Sequence, residues 1–545
     1  MSITLGRVPS HMPARLASSR GWLRLLHVPY RPWLMARTDH RTSSLRRFSS
    51  KIVPEEGPFA VTWLTRTPYD ITPSDVLSHF PTIPHSSNRT SNVPVLLVTP
   101  AFASWIDPAN TFLEDWINRL FPTSLDHPPH GPLYAVAAVV DKLPDPRNRN
   151  GDATDCSEDP LPASSESDGL SLLLVRRTDV LGKAAEPVRI GGIRTEEPVF
   201  IHSIQPKRPA LNAATRPAPY EVGLRLANTV FVNGKDRTMF GMRWDYNSAA
   251  GKFSLGQHLD LSSCTVISSA DSVRSSLELP LHPVSRRRKV ISSMGNILRQ
   301  VSKSADGESD EPMPASSDLE VELPRYVAEH NIADHRVSVW ALVEQSDCST
   351  PTGTNAQDHV ESAIRKGNKL HRVVSGGGGW GKKQGLLSLD PESNFAEAHG
   401  NPLTFDELLG SLDSATPQEE IPDFPAFGED ISSLSQIAKP GDYVQFFVSV
   451  QPKCRRTHPS SELKDPEGVI SYHFGVSVIR ETPHIDAVEG SPSKDLAVLP
   501  NYFGALSEKA ITYSQPVQDT ESTGEGRECR TKLDIPGCRV ELGSV

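Results

Sequence analysis

Long stretches rich in Asp, Ser, Pro and Asn interrupt this chain and limit where a hydrophobic core can form. Two of them, residues 146–168 and 304–318, contain few large apolar side chains. A segment of this composition cannot bury enough apolar surface to offset its loss of conformational entropy. We therefore expect both to be disordered acidic insertions, and the segments around them to supply the core.

Short apolar runs outside these insertions indicate strands, and one amphipathic pattern indicates a helix. The large side chains of Phe112, Trp116 and Leu120 recur one helical turn apart. The apolar runs on either side of this pattern, 95–98 and 133–140, are short and contain β-branched residues, which favours strands. A strand–helix–strand order predicts that these two strands pair in parallel.

Together the patterns predict a β-rich protein of the α+β or mixed α/β class, with two to three domains and long acidic disordered insertions. A chain of 545 residues is long enough to bury more than one core. The predicted organisation is a mitochondrial transit peptide (1–48), an α/β domain (49–145), a disordered acidic linker (146–168), a β-rich domain with a basic helix (169–303), a second disordered acidic linker (304–318) and an α+β domain with a glycine-rich loop (319–545).

The first 48 residues have the composition of a mitochondrial transit peptide. They contain nine arginines, no lysine and a single acid, Asp39. A secretory signal would need an uninterrupted apolar stretch, which arginines and prolines break here. The sequence Arg46-Arg47-Phe48-Ser49 resembles a matrix-protease site, so we expect cleavage after Phe48 and a location in the mitochondrial matrix. The alternative is a disordered basic tail.

Cleavage there would leave an acidic mature protein. The whole chain has 56 Lys and Arg against 66 Asp and Glu. Removing nine arginines and one acid leaves 47 against 65, a net charge of −18. Such a body repels polyphosphate in general, so nucleic-acid contact would need local basic patches. The longest clean apolar run, 133–140, is far shorter than the ~20 residues of a spanning helix, which predicts a soluble protein with no transmembrane segment.

A glycine-rich loop in the last third partly fits two phosphate-binding patterns. Gly376, Gly381 and Lys382 fit most of G-x-x-x-x-G-K, and Gly376, Gly378 and Gly381 fit G-x-G-x-x-G. A run of four glycines satisfies such patterns easily. Lys383 also stands where a nucleotide triphosphatase needs Ser or Thr to hold magnesium, which argues against a P-loop.

The charge around this loop favours contact with an anion or RNA. The 364–389 segment contains six basic residues and no acid. Trp380 lies among glycines, so an RNA backbone or a flat base would be able to approach it closely. The alternatives are a structural turn whose Trp packs on a sheet, and a small-molecule site. The candidate ligand- or RNA-binding residues are Arg372, Gly376, Gly378, Trp380, Gly381, Lys382 and Lys383.

The 279–305 segment is a second basic patch without acids. Val290, Met294, Ile297 and Val301 recur at helical spacing, which predicts a basic amphipathic helix. Such a helix would contact RNA phosphates or the anionic inner membrane, or it would be a core helix with a charged edge. Its candidate residues are Arg286, Arg287, Arg288, Lys289 and Arg299.

No motif for catalysis, a cofactor or a metal stands out. The chain has no G-x-S-x-G, no H-E-x-x-H and no Cys-x-x-Cys. The leading hypothesis is therefore a non-catalytic matrix protein that binds RNA or a ribonucleoprotein, in organellar translation, RNA handling or ribosome assembly. The alternatives are an enzyme acting on a phosphorylated small molecule or nucleotide at the glycine-rich loop, and a membrane-peripheral assembly factor that uses residues 286–303.

Overall fold

The computed structural model describes most of the chain between Pro58 and Ser544. All described residues belong to one compact unit, Ser50–Val545. The predicted transit peptide and residues 147–165 of the first predicted linker lie outside them. The described residues are 58–81, 91–123, 131–146, 166–186, 197–207, 218–230, 234, 238–305, 309–330, 332, 337–346, 356–376, 385–395, 402–410, 436–449, 469–478, 495–517 and 528–544.

The largest sheet has 14 strands in the described residues. Its strands are β1 (Phe59–Thr65), β2 (Asn92–Val98), β3 (Leu133–Val139), β4 (Leu143–Pro144), β5 (Glu166–Arg176), β6 (Val180–Ala184), β7 (Val199–Pro206), β8 (Tyr220–Arg225), β9 (Met239–Asn247), β10 (Lys252–Ala270), β19 (Leu403–Thr404), β22 (Leu496–Pro500), β24 (Ile511–Pro516) and β25 (Glu528–Leu533). Its main path runs β22-β1-β5-β2-β3-β9-β10-β7-β8-β24-β25.

The helices of the described residues are short. The helix predicted from Phe112, Trp116 and Leu120 is present and spans Thr111–Leu120. The Asn110 side chain accepts a hydrogen bond from the Phe112 N–H at 3.0 Å and caps it. The predicted parallel pairing of β2 with β3 is also confirmed. The helices are α1 (Pro73–Leu77), α2 (Thr111–Leu120), α3 (Ser317–Glu329), α4 (Ala356–Arg365) and α5 (Phe405–Gly410), with 3-10 turns at Pro68–Asp70, Pro100–Phe102 and Arg177–Asp179.

The centre of the largest sheet is buried on both faces, which explains its uninterrupted apolar runs. Along β2 the side chains alternate: Val95 and Leu97 join one core cluster, while Leu96 and Val98 join the other. Helix α2 covers the second face with side chains such as Trp116.

A four-stranded sheet shares the first of these cores. The core contains aromatic side chains from both sheets, including Phe200, Tyr472 and Phe503. The strands of this sheet are β11 (Val273–Glu278), β21 (Ser471–Val476), β23 (Tyr502–Ser507) and β26 (Arg539–Ser544).

The remaining described strands include a closed six-stranded antiparallel barrel. It runs β20-β13-β14-β18-β17-β16 and closes because β16 pairs back to β20. Its interior contains Val290, Leu298 and Phe446, and α3 packs against them through Leu319. The strands are β12 (Leu281–Pro283), β13 (Arg288–Met294), β14 (Ile297–Ser302), β15 (Pro312–Pro314), β16 (Val339–Glu344), β17 (Lys369–Gly376), β18 (Leu387–Leu389) and β20 (Tyr443–Ser449).

The prediction of a basic helix within 279–305 is wrong. The segment forms the antiparallel strands β13 and β14, in which Met294 pairs with Ile297. Gly295 lies between them with φ +58°, and a glycine with positive φ at the first central position is what a two-residue type II′ turn requires. The β-branched residues that weaken a helix favour this hairpin.

The second predicted linker, 304–318, is also ordered where the structure describes it. Residues 312–314 form β15, which pairs with β14, and α3 begins at Ser317. Strand pairing likewise crosses the predicted domain boundaries, since β1 pairs with both β5 and β22. The predicted segments therefore do not each form a sheet of their own. No described helix has the length and apolarity needed to span a membrane.

Candidate anion-binding cavity

A polar cavity of about 480 Å³ lies beside the turn between α4 and β17. Residues at the β24–β25 hairpin and residues 393–394 also line it. The residues that line the cavity are Gln345, Lys366, Gly367, Lys369, Ser393, Asn394, Val517, Glu528, Cys529 and Arg530.

Local backbone chemistry fixes the turn that carries the two lysines. The Gly367 N–H donates to the Ile364 carbonyl at 3.0 Å, and the Asn368 N–H donates to the Ala363 carbonyl at 3.1 Å. These two bonds form a Schellman motif, which needs a residue with positive φ after the helix. Gly367 meets that need at φ +96°. The turn thus places Lys366 and Lys369 on either side of a defined helix end.

A second contact ties this turn to the barrel. The Asn368 side chain is 2% exposed, and its Oδ1 accepts a hydrogen bond from the Gln345 N–H at 3.0 Å, just beyond the end of β16. The backbone of the turn that carries the lysines is therefore fixed by hydrogen bonds. Backbone that is already ordered loses no further backbone entropy when the lysines bind an anion.

The charges at the cavity are unequally compensated. Arg530 forms an ion pair with Glu528 at 2.9 Å, and Glu528 also accepts a hydrogen bond from Ser514. Lys366 and Lys369 are exposed, and neither forms an ion pair with a described carboxylate. Because both lysines are exposed and screened by solvent, each would attract a bound unit negative charge by about 1 kcal/mol or less.

A short segment, residues 390–395, closes one side of the cavity and is held by ion pairs. Lys532 Nζ lies 2.7 Å from Asp390 Oδ2 and 2.6 Å from Glu392 Oε2. Arg225 contacts Glu392 at 2.5 Å, and its guanidinium carbon lies 4.3 Å from the centre of the Phe395 ring. We refer to residues 390–395 as the strap.

The pKa values of Asp390 and Lys532 in the strap region shift in the directions that favour their charged forms. Burial alone would raise the pKa of Asp390, but the hydrogen bonds from Lys532 and from the Glu392 N–H outweigh it and lower that pKa. Burial alone would lower the pKa of Lys532, but the bonds to Asp390 and Glu392 raise it. These groups hold one another, whereas the two cavity lysines have no such partners in the described structure.

Most of the predicted basic patch in 279–305 is neutralised by acids from other segments. Arg288 pairs with Asp318 (Nη2 to Oδ1, 2.8 Å), and Lys289 pairs with Asp310 at 2.9 Å. Both acids belong to the predicted linker 304–318. Arg286 and Arg299 are exposed.

Arg287 is a structural residue of the barrel. It is 9% exposed, its Nε donates to Glu344 at 2.7 Å, and its guanidinium lies 3.6 Å from the centre of the Tyr443 ring. Burial alone would raise the pKa of Glu344, but the hydrogen bonds from His359 and Arg287 outweigh it and lower that pKa. A side chain held in this way is not available to RNA.

The glycine-rich loop joins two antiparallel strands. Gly376 at the end of β17 pairs with Leu387 of β18, whereas both phosphate-binding patterns place their glycines between a strand and a helix. A Cβ at Gly376 would lie 2.8 Å from the Leu386 carbonyl oxygen, so close packing explains this glycine. Gly378, Trp380, Gly381, Lys382 and Lys383 lie outside the described residues.

Arg372 contacts two other side chains of the described structure. Its Nη2 donates to Ser338 Oγ at 3.0 Å, and its Nη1 lies 3.7 Å from Asp534 Oδ2.

Sequence reasoning placed Lys366 and Lys369 within a basic segment but did not select them, and it missed Glu528 and Arg530 entirely. The signal for the turn was the Lys-Gly-Asn-Lys sequence after an amphipathic helix. No local feature of the sequence predicts that β25 lies beside this turn.

Comparisons of the chain with protein families, with curated proteins and with solved structures found no match.

Proposed function

We propose that this protein binds a small anionic molecule in the cavity beside the α4–β17 turn. The observation that carries the proposal is the pair of exposed lysines, Lys366 and Lys369, braced at the mouth of a cavity and without ion pairs in the described structure. A volume near 480 Å³ falls within the range typical of small-molecule sites.

The test is ligand-dependent thermal stability of the full-length chain. Phosphate, pyrophosphate, succinate and citrate serve as probes. A probe present at about 100 times its Kd should stabilise the protein by about 2.7 kcal/mol, which is about 3 °C in Tm for a unit of this size. The double variant Lys366→Gln/Lys369→Gln should lose that shift.

A matched control is Lys439→Gln, because Lys439 is exposed but does not line the cavity. It should respond to the probes as the parent does. Equal responses of the parent and the double variant, or no response of the parent to any probe, would contradict the proposal.

We propose the mitochondrial matrix as the place where this binding occurs. The support is the arginine-rich leader with its Phe48–Ser49 junction. N-terminal sequencing of the protein isolated from mitochondria should begin within a few residues of Ser49. Protein that retains Met1 and stays in the cytosol would refute this address.

RNA binding by the barrel is a second candidate, favoured by one observation. The pairing of β14 with β18 brings the 279–305 and 364–389 segments side by side, although about 60 residues separate them in the sequence. Arg299 is exposed beside this junction. If single-stranded RNA binds here, Arg299→Gln should reduce the slope of log K against log salt by about 0.7. Identical slopes for parent and variant would exclude that contact.

A further inference from the structure

One face of the four-stranded sheet carries a serine, a histidine and a glutamate in contact with one another. Ser471 and His473 lie two residues apart on β21, so their side chains share a face, while Tyr472 between them belongs to the core. Glu541 of β26 pairs directly with His473. Ser471 Oγ lies 2.7 Å from His473 Nε2, and His473 Nδ1 lies 3.5 Å from Glu541 Oε1. The two ring nitrogens thus face a hydroxyl and a carboxylate.

A tyrosine fixes the plane of the histidine ring. The Tyr502 ring stacks on His473, with 4.4 Å between the ring centroids and 20° between the planes. The Tyr502 hydroxyl in turn donates to the Pro144 carbonyl at 3.2 Å. Because the Glu541 carboxylate lies beside Nδ1, the neutral imidazole carries its proton there, and Nε2 accepts the hydrogen bond from Ser471. This is the arrangement that activates a serine for nucleophilic attack.

The strand register leaves room for a substrate beside Ser471. Gly543 of β26 pairs with Ser471 on one side and with Arg274 of β11 on the other, so the three positions form a row across the sheet. A Cβ at Gly543 would have no neighbour within 4 Å, so the space above this glycine is open. Two strand spacings separate the Cα atoms of Arg274 and Ser471 by about 10 Å. Arg274 is exposed and forms no ion pair with a described carboxylate.

We propose that Ser471, His473 and Glu541 form a catalytic site that hydrolyses short carboxylic esters carrying a negative charge. Ser471 and His473 are the catalytic residues, and Glu541 is a positioning residue that acts through the histidine. The guanidinium of Arg274 binds the anionic end of the ester across the open space at Gly543. This activity is independent of the anion-binding cavity.

The reaction proceeds in two steps through an acyl-serine. Ser471 Oγ bonds to the ester carbonyl carbon while its proton passes to His473 Nε2. The bond from that carbon to the leaving oxygen breaks, and the leaving alcohol takes the proton from Nε2. In the second step a water oxygen bonds to the acyl carbon and gives its proton to Nε2. The bond from the acyl carbon to Oγ then breaks, Oγ regains a proton from Nε2, and the carboxylic acid leaves.

The test compares two aryl acetates as substrates of the full-length chain: 4-acetoxybenzoate, which is anionic, and phenyl acetate, which is neutral. Absorbance of the released phenol measures the rate. Ser471→Ala and His473→Gln should each lower the rate by about 100-fold, the effect of losing a nucleophile or its general base. Glu541→Gln should lower kcat for both esters and leave KM unchanged. Arg274→Gln should raise KM about fivefold for 4-acetoxybenzoate alone, the effect of losing one exposed charge pair.

Ser78 provides a matched control on the surface of the same protein. Its Oγ also lies close to a histidine nitrogen, 3.0 Å from His79 Nδ1. The same nitrogen lies 2.8 Å from the Asp75 carbonyl oxygen, and His79 forms no ion pair with a described carboxylate. Ser78→Ala should therefore hydrolyse both esters at the parental rate.

Covalent labelling of the parent chain gives a second test that needs no variant. With diisopropyl fluorophosphate, Ser471 Oγ bonds to phosphorus, fluoride leaves, and the hydroxyl proton passes to His473. Peptide mapping should find the label at Ser471 and not at Ser78. Equal ester hydrolysis by the parent and a folded Ser471→Ala variant, or a parent chain without label at Ser471, would overturn the proposal.

Discussion

The barrel and the cavity turn each contain basic residues that are close together in the sequence. In the barrel these residues form ion pairs, whereas at the cavity turn they form none in the described structure. In the barrel, Arg287 is buried against Glu344, and Arg288 lies against Asp318. At the cavity turn, Lys366 and Lys369 are exposed without ion pairs in the described structure. Clustered positive charge in a sequence therefore does not distinguish a binding surface from an internal ion-pair network. The position of the acids in the fold does.

We expect the largest effect on stability at Arg287. The Arg287→Met variant leaves the buried carboxylate of Glu344 with His359 as its remaining partner among the described residues, which should cost about 3–5 kcal/mol of unfolding free energy. The neighbouring Arg286 is exposed, so Arg286→Met should change stability by less than about 0.5 kcal/mol. Urea denaturation measures both. Similar losses of stability for the two variants would show that the buried Arg287 is no more important to the fold than the exposed Arg286.

Asp141, which lies outside both regions, is buried and forms no ion pair with another described residue. Burial raises the pKa of Asp141 to about 6, despite a hydrogen bond from the Glu508 N–H and the charges of Lys509 and Lys142. Those two lysines pair with other carboxylates.

The stability contribution of Asp141 should depend on pH in a defined direction. Its folded-state pKa lies above the ordinary value of 3.8 for an aspartate, so the contribution is fully present below pH 3.8 and is lost as the pH rises through about 6. Relative to the parent, Asp141→Asn should gain up to about 3 kcal/mol between pH 4 and pH 8, at about 1.4 kcal/mol for each unit of pKa shift. Denaturation curves over this range measure the gain. A difference between variant and parent that stays constant with pH would contradict this prediction.

We expect a smaller effect on stability at the strap, whose paired charges lie beside the cavity. Lys532 is largely buried between Asp390 and Glu392. Lys532→Met should destabilise the protein by about 2 kcal/mol and weaken anion binding, because the strap forms one wall of the cavity. Lys303 is the matched control: it pairs with Glu311 at 2.8 Å, but both side chains are more than half exposed. Lys303→Met should change stability by less than about 1 kcal/mol. Loss of stability without any loss of anion binding would separate the strap from the site.

The sequence predicted the elements whose signals are local. The strands β2 and β3 and the helix between them follow from apolar patterns within each segment. The sequence Thr404-Phe405-Asp406-Glu407 also has the form of a capping box, and in the structure the Thr404 N–H donates to Glu407 Oε2 at 2.9 Å. These features depend on neighbours a few residues away, so a single sequence contains the information that defines them.

The predictions that were wrong or missing concern features that depend on residues far apart in the sequence. The barrel closes through the pairing of Leu342 with Gln445, about 100 residues apart. The basic hairpin is neutralised by acids that sequence reasoning had assigned to a disordered linker. The cavity forms only when β25 reaches the α4–β17 turn, which is more than 150 residues earlier in the chain. Periodicity and composition carry no information about such contacts.

NMR signals from the lysine side chains distinguish the free lysines of the cavity from the paired lysines of the barrel. Reductive methylation with 13C-formaldehyde gives each accessible lysine an NMR signal and keeps its positive charge. Lys366→Arg and Lys369→Arg variants assign the two cavity signals. On titration with phosphate or succinate, these two signals should shift together and saturate, while the signals of Lys289 and Lys303, which are paired in the barrel, should stay in place. Saturable shifts of the barrel lysines, with the signals of Lys366 and Lys369 unchanged, would contradict the account.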